Sequence, residues 1–243
     1  APMETAEKFY EAVDALEPAP NKIVLIASDW SPSTKAENEP QTEVAIEHLM
    51  RKRVPFALIS ISVHATPFLR TLPQKIAAKL AEETNEKWSY GQDWVNLGYR
   101  PGGLIMVQGF AKADDIKNFF KTDARGTPLT DIPAISGVRS IRDISMLMEF
   151  TGSVGAFEMW LQFFQAKGYQ PPYVHGCTSI SIPGVYIYYL SKQIVGLHEG
   201  VAGAAWYEKL LNDNYPKRKE GSAIINNTSL AYAHLAIIAL IIL

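Results

Sequence analysis

The fold this sequence predicts is α/β: a Rossmann-like three-layer sandwich around a mostly parallel sheet of 5–6 strands, followed by a C-terminal membrane helix. Three observations predict it. Runs rich in β-branched residues alternate with helix-period stretches along most of the 243 residues, the pattern of parallel strands joined by helical crossovers. Those runs are apolar at successive positions rather than at every second one, as strands covered on both faces must be. Finally, the chain closes on Ala231 to Leu243, thirteen residues interrupted by only Tyr232 and His234 as polar groups.

In order, residues 4–16 read as a helix and residues 22–28 as the first strand. Residues 40–53 form a helix whose apolar face is Val44, Ile46, Leu49 and Met50, with Pro40 suited to its first turn. Strand 54–63 and helix 66–86 follow. The third strand is expected at 104–108, then helix 114–121, strand 145–150, helix 156–167, strand 177–182, helix 184–192, a short strand at 194–197 and helix 200–212. Two connections are long, 87–103 and 122–143, and loops of that length in a compact domain are usually functional or interfacial.

Composition bounds the rest. A net charge of -2, with both signs interspersed, leaves no electrostatic footprint for a phosphate backbone, so no nucleic-acid partner is expected. Cys177 is the one cysteine, which excludes an intramolecular disulfide framework. Residues 1–220 read as a single α/β domain and 221–243 as the start of a transmembrane helix. A bilayer core takes about 20 apolar residues, and Asn226, Asn227, Thr228 and Ser229 suit a headgroup region instead. By the positive-inside tendency, Lys217, Arg218 and Lys219 place the domain on the cytoplasmic side. The opening at Ala1, without an initiator methionine, predicts a segment removed ahead of it.

In a doubly wound sheet, ligands sit beyond the carboxyl ends of the strands. The residues expected there are Asp29, Ser31 and Thr34, then His64, Gln108, Thr151, Gly152 and Ser153. With Arg125 of the second long loop, Asp29, Ser31, Thr34, Gln108, Thr151, Gly152 and Ser153 form the candidate ligand-binding set. Thr151-Gly152-Ser153-Val154-Gly155 leads into a helix, whose free N–H groups suit an anion, although any tight strand-to-helix turn uses the same residues and Ser153 also suits an N-cap. Asp29 stands where α/β enzymes place a nucleophile or metal ligand. It lacks a second acid two positions on, where Ser31 stands, and a turn-capping carboxylate is the plainer reading. His175 and Cys177 share a strand face, yet Cys177 is expected at the start of its strand, as a small buried hydrophobe.

No Gly-x-Gly-x-x-Gly, Walker lysine loop or Gly-x-Ser-x-Gly elbow is present, and the five histidines lack metal-ligand spacing. Neither cofactor nor metal is therefore expected, and no catalytic residue is assigned. Trp88, Tyr90, Trp94, Tyr99 and Arg100 make loop 87–103 the candidate protein interface, since aromatic residues and arginine are favoured anchors.

Several segments carry a resemblance: Asp93-Trp94-Val95-Asn96-Leu97-Gly98-Tyr99, Thr122-Asp123-Ala124-Arg125-Gly126-Thr127-Pro128-Leu129, Gly137-Val138-Arg139-Ser140-Ile141-Arg142-Asp143 and Gly203-Ala204-Ala205-Trp206-Tyr207-Glu208. On these the chain resembles a family of uncharacterised prokaryotic membrane-anchored α/β proteins with a hydrophobic segment at each end. The resemblance implies anchoring and a mixed α/β domain, with no reaction attached. It also implies a domain lying between two membrane passes and outside the cytoplasm, against the Lys217–Lys219 hint, so that the expected side leans slightly outward. The expected role is a membrane-tethered, non-enzymatic interaction or accessory subunit with protein partners or further copies of itself. A small anionic-ligand sensor is the alternative, and a hydrolase built on Asp29, His64 or Cys177 comes third.

Overall fold

The computed structural model describes residues 2–165, 169–219 and 221–242. Ala1, the end of the expected helix 156–167 and Leu243 lie outside these residues. The chain runs α1 (Glu4–Asp14), β1 (Ile23–Ser28), α2 (Lys35–Arg51), β2 (Phe56–Ser60), α3 (Thr66–Thr84), β3 (Trp94–Tyr99), α4 (Leu104–Lys112), α5 (Ile116–Phe120), α6 (Pro133–Ser136), β4 (Ile144–Thr151), α7 (Val154–Phe164), β5 (Tyr173–Cys177), α8 (Ile182–Leu190), β6 (Gly196–Glu199), α9 (Gly200–Asn214) and α10 (Ala223–Ile242). The six strands make one all-parallel sheet in the order β3-β2-β1-β4-β5-β6. This is the doubly wound, Rossmann-like arrangement, with its topological switch between β1 and β4.

Alternate strand residues divide into two cores. Val24, Ile26, Leu58, Met146, Met148 and Val174 face Phe9, Leu49, Ile76, Leu80, Tyr207 and Leu211 of α1, α2, α3 and α9. Leu25, Ala27, Ile59, Val95, Leu147 and Leu197 face Val107, Phe110, Phe157, Trp160 and Val185 of α4, α7 and α8. Burial on both sheet faces accounts for the unbroken apolar runs in β1 and β2.

Four expectations are corrected. The third strand is Trp94–Tyr99, inside the stretch read as a loop, and 104–108 is helical. Asn96 and Gly98 break the apolar pattern of this edge strand. Gly98 has φ +79°, its N–H bonds the Asn96 carboxamide at 2.8 Å, and the β2–β3 register shifts beside it. The run Leu104-Ile105-Met106-Val107 instead follows helical period, burying Met106, Val107 and Phe110 and exposing Leu104 and Ile105. The fifth strand ends at Cys177 rather than starting there, and the expected remainder is a 3-10 turn over Ser179–Ser181. Helix α2 begins five residues before Pro40, which is interior. Loop 122–143 is no open loop, because Leu129, Ile132, Ile135 and Val138 fill the second core.

Candidate functional site

At the switch point, Asp29 follows β1 with its carboxylate turned inward. Oδ1 accepts from Ser60 Oγ at 2.8 Å and from the Ile61 N–H at 2.7 Å, and Oδ2 accepts from Trp160 Nε1 at 2.7 Å. Burial and the nearby Glu149 charge push its pKa up to about 7, against the pull of those three donors. The group ties β1, β2 and α7 together. The following loop places Trp30 where a nucleotide-binding fold needs glycine. Trp30 is buried, stacked on Phe68, and donates to Thr42 at 3.2 Å.

The expected anion loop is filled by the protein itself. A Cβ built on Gly152 would stand 2.7 Å from the Thr34 methyl and 3.1 Å from that of Thr178. Thr151 donates to the Asp29 carbonyl at 3.1 Å, and Ser181 Oγ donates to the Gly152 carbonyl at 2.8 Å. Ser153 is the N-cap of α7, accepting from the Ala156 N–H at 3.3 Å. Ser31 shares a hydrogen bond with Ser33 at 2.7 Å, and its carbonyl accepts a long bond from Thr34. Thus Asp29, Ser31, Thr34, Thr151, Gly152 and Ser153 do come together, as a seam in which the protein's own groups occupy the space at Gly152 while Ser153 stays exposed. Gln108 is on α4, after β3, because the strand expected to end there is a helix. Arg125 lies over the Tyr90 ring, 3.4 Å from its centroid, on the far side of β2 from β1.

Beneath Asp29, on the same sheet face, sits a group that sequence patterning missed. Glu149 pairs in register with Ala27 and with His175. Its Oε2 is 2.7 Å from His175 Nδ1 and accepts from the Tyr173 hydroxyl at 3.2 Å. All three side chains are fully buried. Desolvation holds Glu149 well above the usual carboxylate range and His175 down to about 3. The visible signal was a lone Glu in an apolar strand. Cys177 ends the neighbouring strand, buried, with its thiol pushed up to about 12 by desolvation. Asp29, His64 and Cys177 make no hydrogen bond with one another, so the hydrolase constellation is not assembled.

The aromatic segment is mostly interior. Trp88 is buried, donates to the Met50 carbonyl at 2.8 Å and carries the Arg53 guanidinium 4.0 Å from its ring. Trp94 is buried on β3, and the half-buried Tyr90 donates to Asp123 at 2.5 Å. Trp88 and Trp94 therefore offer no surface to a partner, while Tyr99 and Arg100 remain at the rim. These two, with Arg70, Asn96, Thr66 and Asp123, line an open cleft of about 410 Å³ beyond the ends of β2 and β3. Arg100 donates to the Phe120 and Thr122 carbonyls at 3.5 and 2.5 Å.

A second feature lies at the root of α10. Arg218 is buried and bidentate on Glu47, at 2.7 and 2.8 Å, and reaches Glu208 at 2.9 Å. Glu47 also takes Arg51, which bridges on to Glu83. The Ile224 N–H donates to Glu208 at 2.7 Å, and Ser222 Oγ donates to Glu43 at 2.6 Å. Arg218 is thus spent inside the domain and is no juxtamembrane charge, a correction to the basic-triplet reading.

From that root α10 runs back along α9. Ile224 and Asn227 face Ala205 and Trp206, while Ser229, Leu230 and His234 face Val201, Glu37 and Ser179, all at the strand-end edge. Residues 223–241 form a helix long and apolar enough to cross a membrane, with mean hydropathy 1.6 and its apolar stretch unburied. No known family model, curated protein or solved structure matches this chain.

Proposed function

We propose that this protein is a membrane-tethered, non-enzymatic α/β domain serving as an interaction or accessory subunit of a membrane assembly. The observation that carries the reading is α10: apolar and unburied, yet fixed at its root by the Arg218 clasp. Such a root transmits position between anchor and domain, whereas a flexible tether does not. The filled seam at Gly152 supports a binding role over chemistry at the usual α/β site. Protein partners or further copies of the chain complete the assembly, and the resemblance to anchored prokaryotic α/β proteins belongs to this same reading. The test is the mass of the particle extracted from native membranes in mild detergent, measured by light scattering. A particle heavier than one protomer is expected, and a lone monomer overturns the proposal.

A second reading has one observation in its favour, the cleft lined by Arg70 and Arg100. Binding of a small anion there would raise the melting temperature with ligand concentration by mass action. A flat response to phosphate and to small carboxylates retires it.

A further inference from the structure

The strand-end edge carries exposed apolar side chains that the fold does not use. Val63 follows β2 and is 54% exposed, Leu104 and Ile105 follow β3 at 44% and 78%, and Ile180 follows β5 at 89%. They spread over strands about 4.8 Å apart, so they form a broad rim rather than one groove. Tyr99 lies on the same rim. Phe119, Ile187, Leu190 and Val195 are exposed elsewhere, but only at this edge are such side chains joined by α10, and large apolar groups gathered at one end of a domain suit a contact surface.

The course of α10 says what that surface meets. Its polar first half, Asn226 to Ser229, lies against α9, and His234 is level with Glu37 and Ser179 at the strand ends. From Leu235 onward no residue lines either groove between α10 and the domain, and there the helix is exposed and wholly apolar. A bilayer that takes up this half begins at the height of the rim. The charges agree. Among the acids there, Asp29 and Asp123 are buried, Glu37 is held by the Ser179 N–H at 2.9 Å and Glu199 by the Thr5 hydroxyl at 2.7 Å, and Glu4 is exposed at the β6 end of the edge, away from Arg70. Arg70 is exposed and makes no ion pair with a described residue, while Arg100 is turned to the Phe120 and Thr122 carbonyls. Cationic and apolar groups together suit the headgroup boundary of an anionic bilayer.

We propose that the strand-end edge is a lipid-docking face: Val63, Leu104, Ile105 and Ile180 enter the headgroup boundary while Arg70 meets lipid phosphates. This rests on the anchoring read from α10. The domain then lies against the bilayer with its cleft turned to the lipid, and an anionic headgroup is the ligand the cleft is placed to receive.

Depth-dependent quenching tests it on the full chain. Single cysteines replace Val63, Ile105 and Ile180 on the rim, Ala19 at the opposite edge and Ile238 in α10, each carrying an environment-sensitive fluorophore, with Cys177 shielded by burial. In vesicles of phosphatidylcholine and phosphatidylglycerol containing spin-labelled lipid, the rim labels should shift to the blue and be quenched several-fold more than the label at 19. R70Q should weaken rim quenching and leave that at 238 unchanged. Rim labels as wet as position 19, with 238 quenched, overturn docking and leave anchoring intact. If 238 is also unquenched, anchoring falls and docking with it. Rim labels that shift only in native membranes assign the face to a protein and likewise overturn the proposal.

Discussion

His198 is fully buried with its ring 4.0 Å from that of Phe9, and neither ring nitrogen has a hydrogen-bond partner among the described residues. Desolvation, helped by His175, holds its pKa down to about 3 from an ordinary 6.5. Between those values the unfolded chain binds a proton that the folded one refuses. Its contribution to stability is therefore complete above pH 6.5 and is lost as pH falls toward 3. His198→Leu keeps an apolar side chain of similar size and removes this sensitivity. The slope of unfolding free energy against pH, from urea titrations between pH 6.5 and 4, should fall by up to about 1.4 kcal/mol per pH unit, and an unchanged slope refutes the assignment. Asp29 acts in the opposite sense. Raised to about 7, it contributes stability below its usual range that is lost as pH climbs to 7. At Arg218 the expected effect is larger. Arg218→Ala leaves Glu208 buried without its cation, a change of about 3–5 kcal/mol, read as a lowered urea midpoint in detergent.

Close backbone approaches set the elements. A Cβ on Gly196 would stand 2.3 Å from Phe9 Cα, so this glycine is what lets α1 lie flat on β6. Gly196→Ala should lower stability by roughly 3 kcal/mol or more by prising α1 away. Gly155→Ala in α7, where the nearest atom is Ser153 Oγ at 3.8 Å, should instead stabilise by about 0.5–1 kcal/mol. If both variants unfold at the same urea concentration, the α1–β6 contact is not as close as described. Elements buried on two faces were legible as apolar runs, which is why β1, β2 and β4 lie close to where the sequence places them. The edge strand β3 was not, because Asn96 and Gly98 interrupt it and the apolar run after it has helix period. The same limit governed the site. Asp29 and the 151–153 turn were visible from position, but their inward turn depends on Thr34, Trp160 and Thr178, which sequence spacing does not bring near. Glu47 with Arg218, 171 positions apart, had no local signal at all.

For the whole molecule, the question is how much of α10 the domain needs. From Ala223 to His234 the helix climbs about 16 Å at 1.5 Å per residue, placing Lys217 and Lys219 that far or farther from the half that clears the domain. The basic triplet is then a feature of the domain's base, with Arg218 in the clasp and Lys219 on Glu82 at 2.9 Å. Ala223 is the one residue of α10 among the buried core residues described. Ending the chain after Asn226 keeps Arg218, Ser222 and the Ile224 N–H bond to Glu208, and gives up only the largely exposed packing of residues 227–234 along α9 and α2. The shortened protein should therefore fold with a melting temperature within a few degrees of the full chain, stay in the supernatant and be monomeric. The full chain should resist alkaline carbonate extraction from membranes. Loss of cooperative unfolding in the shortened protein would make α10 a structural helix of the domain, and its apolar surface would then have to be explained by packing instead of lipid.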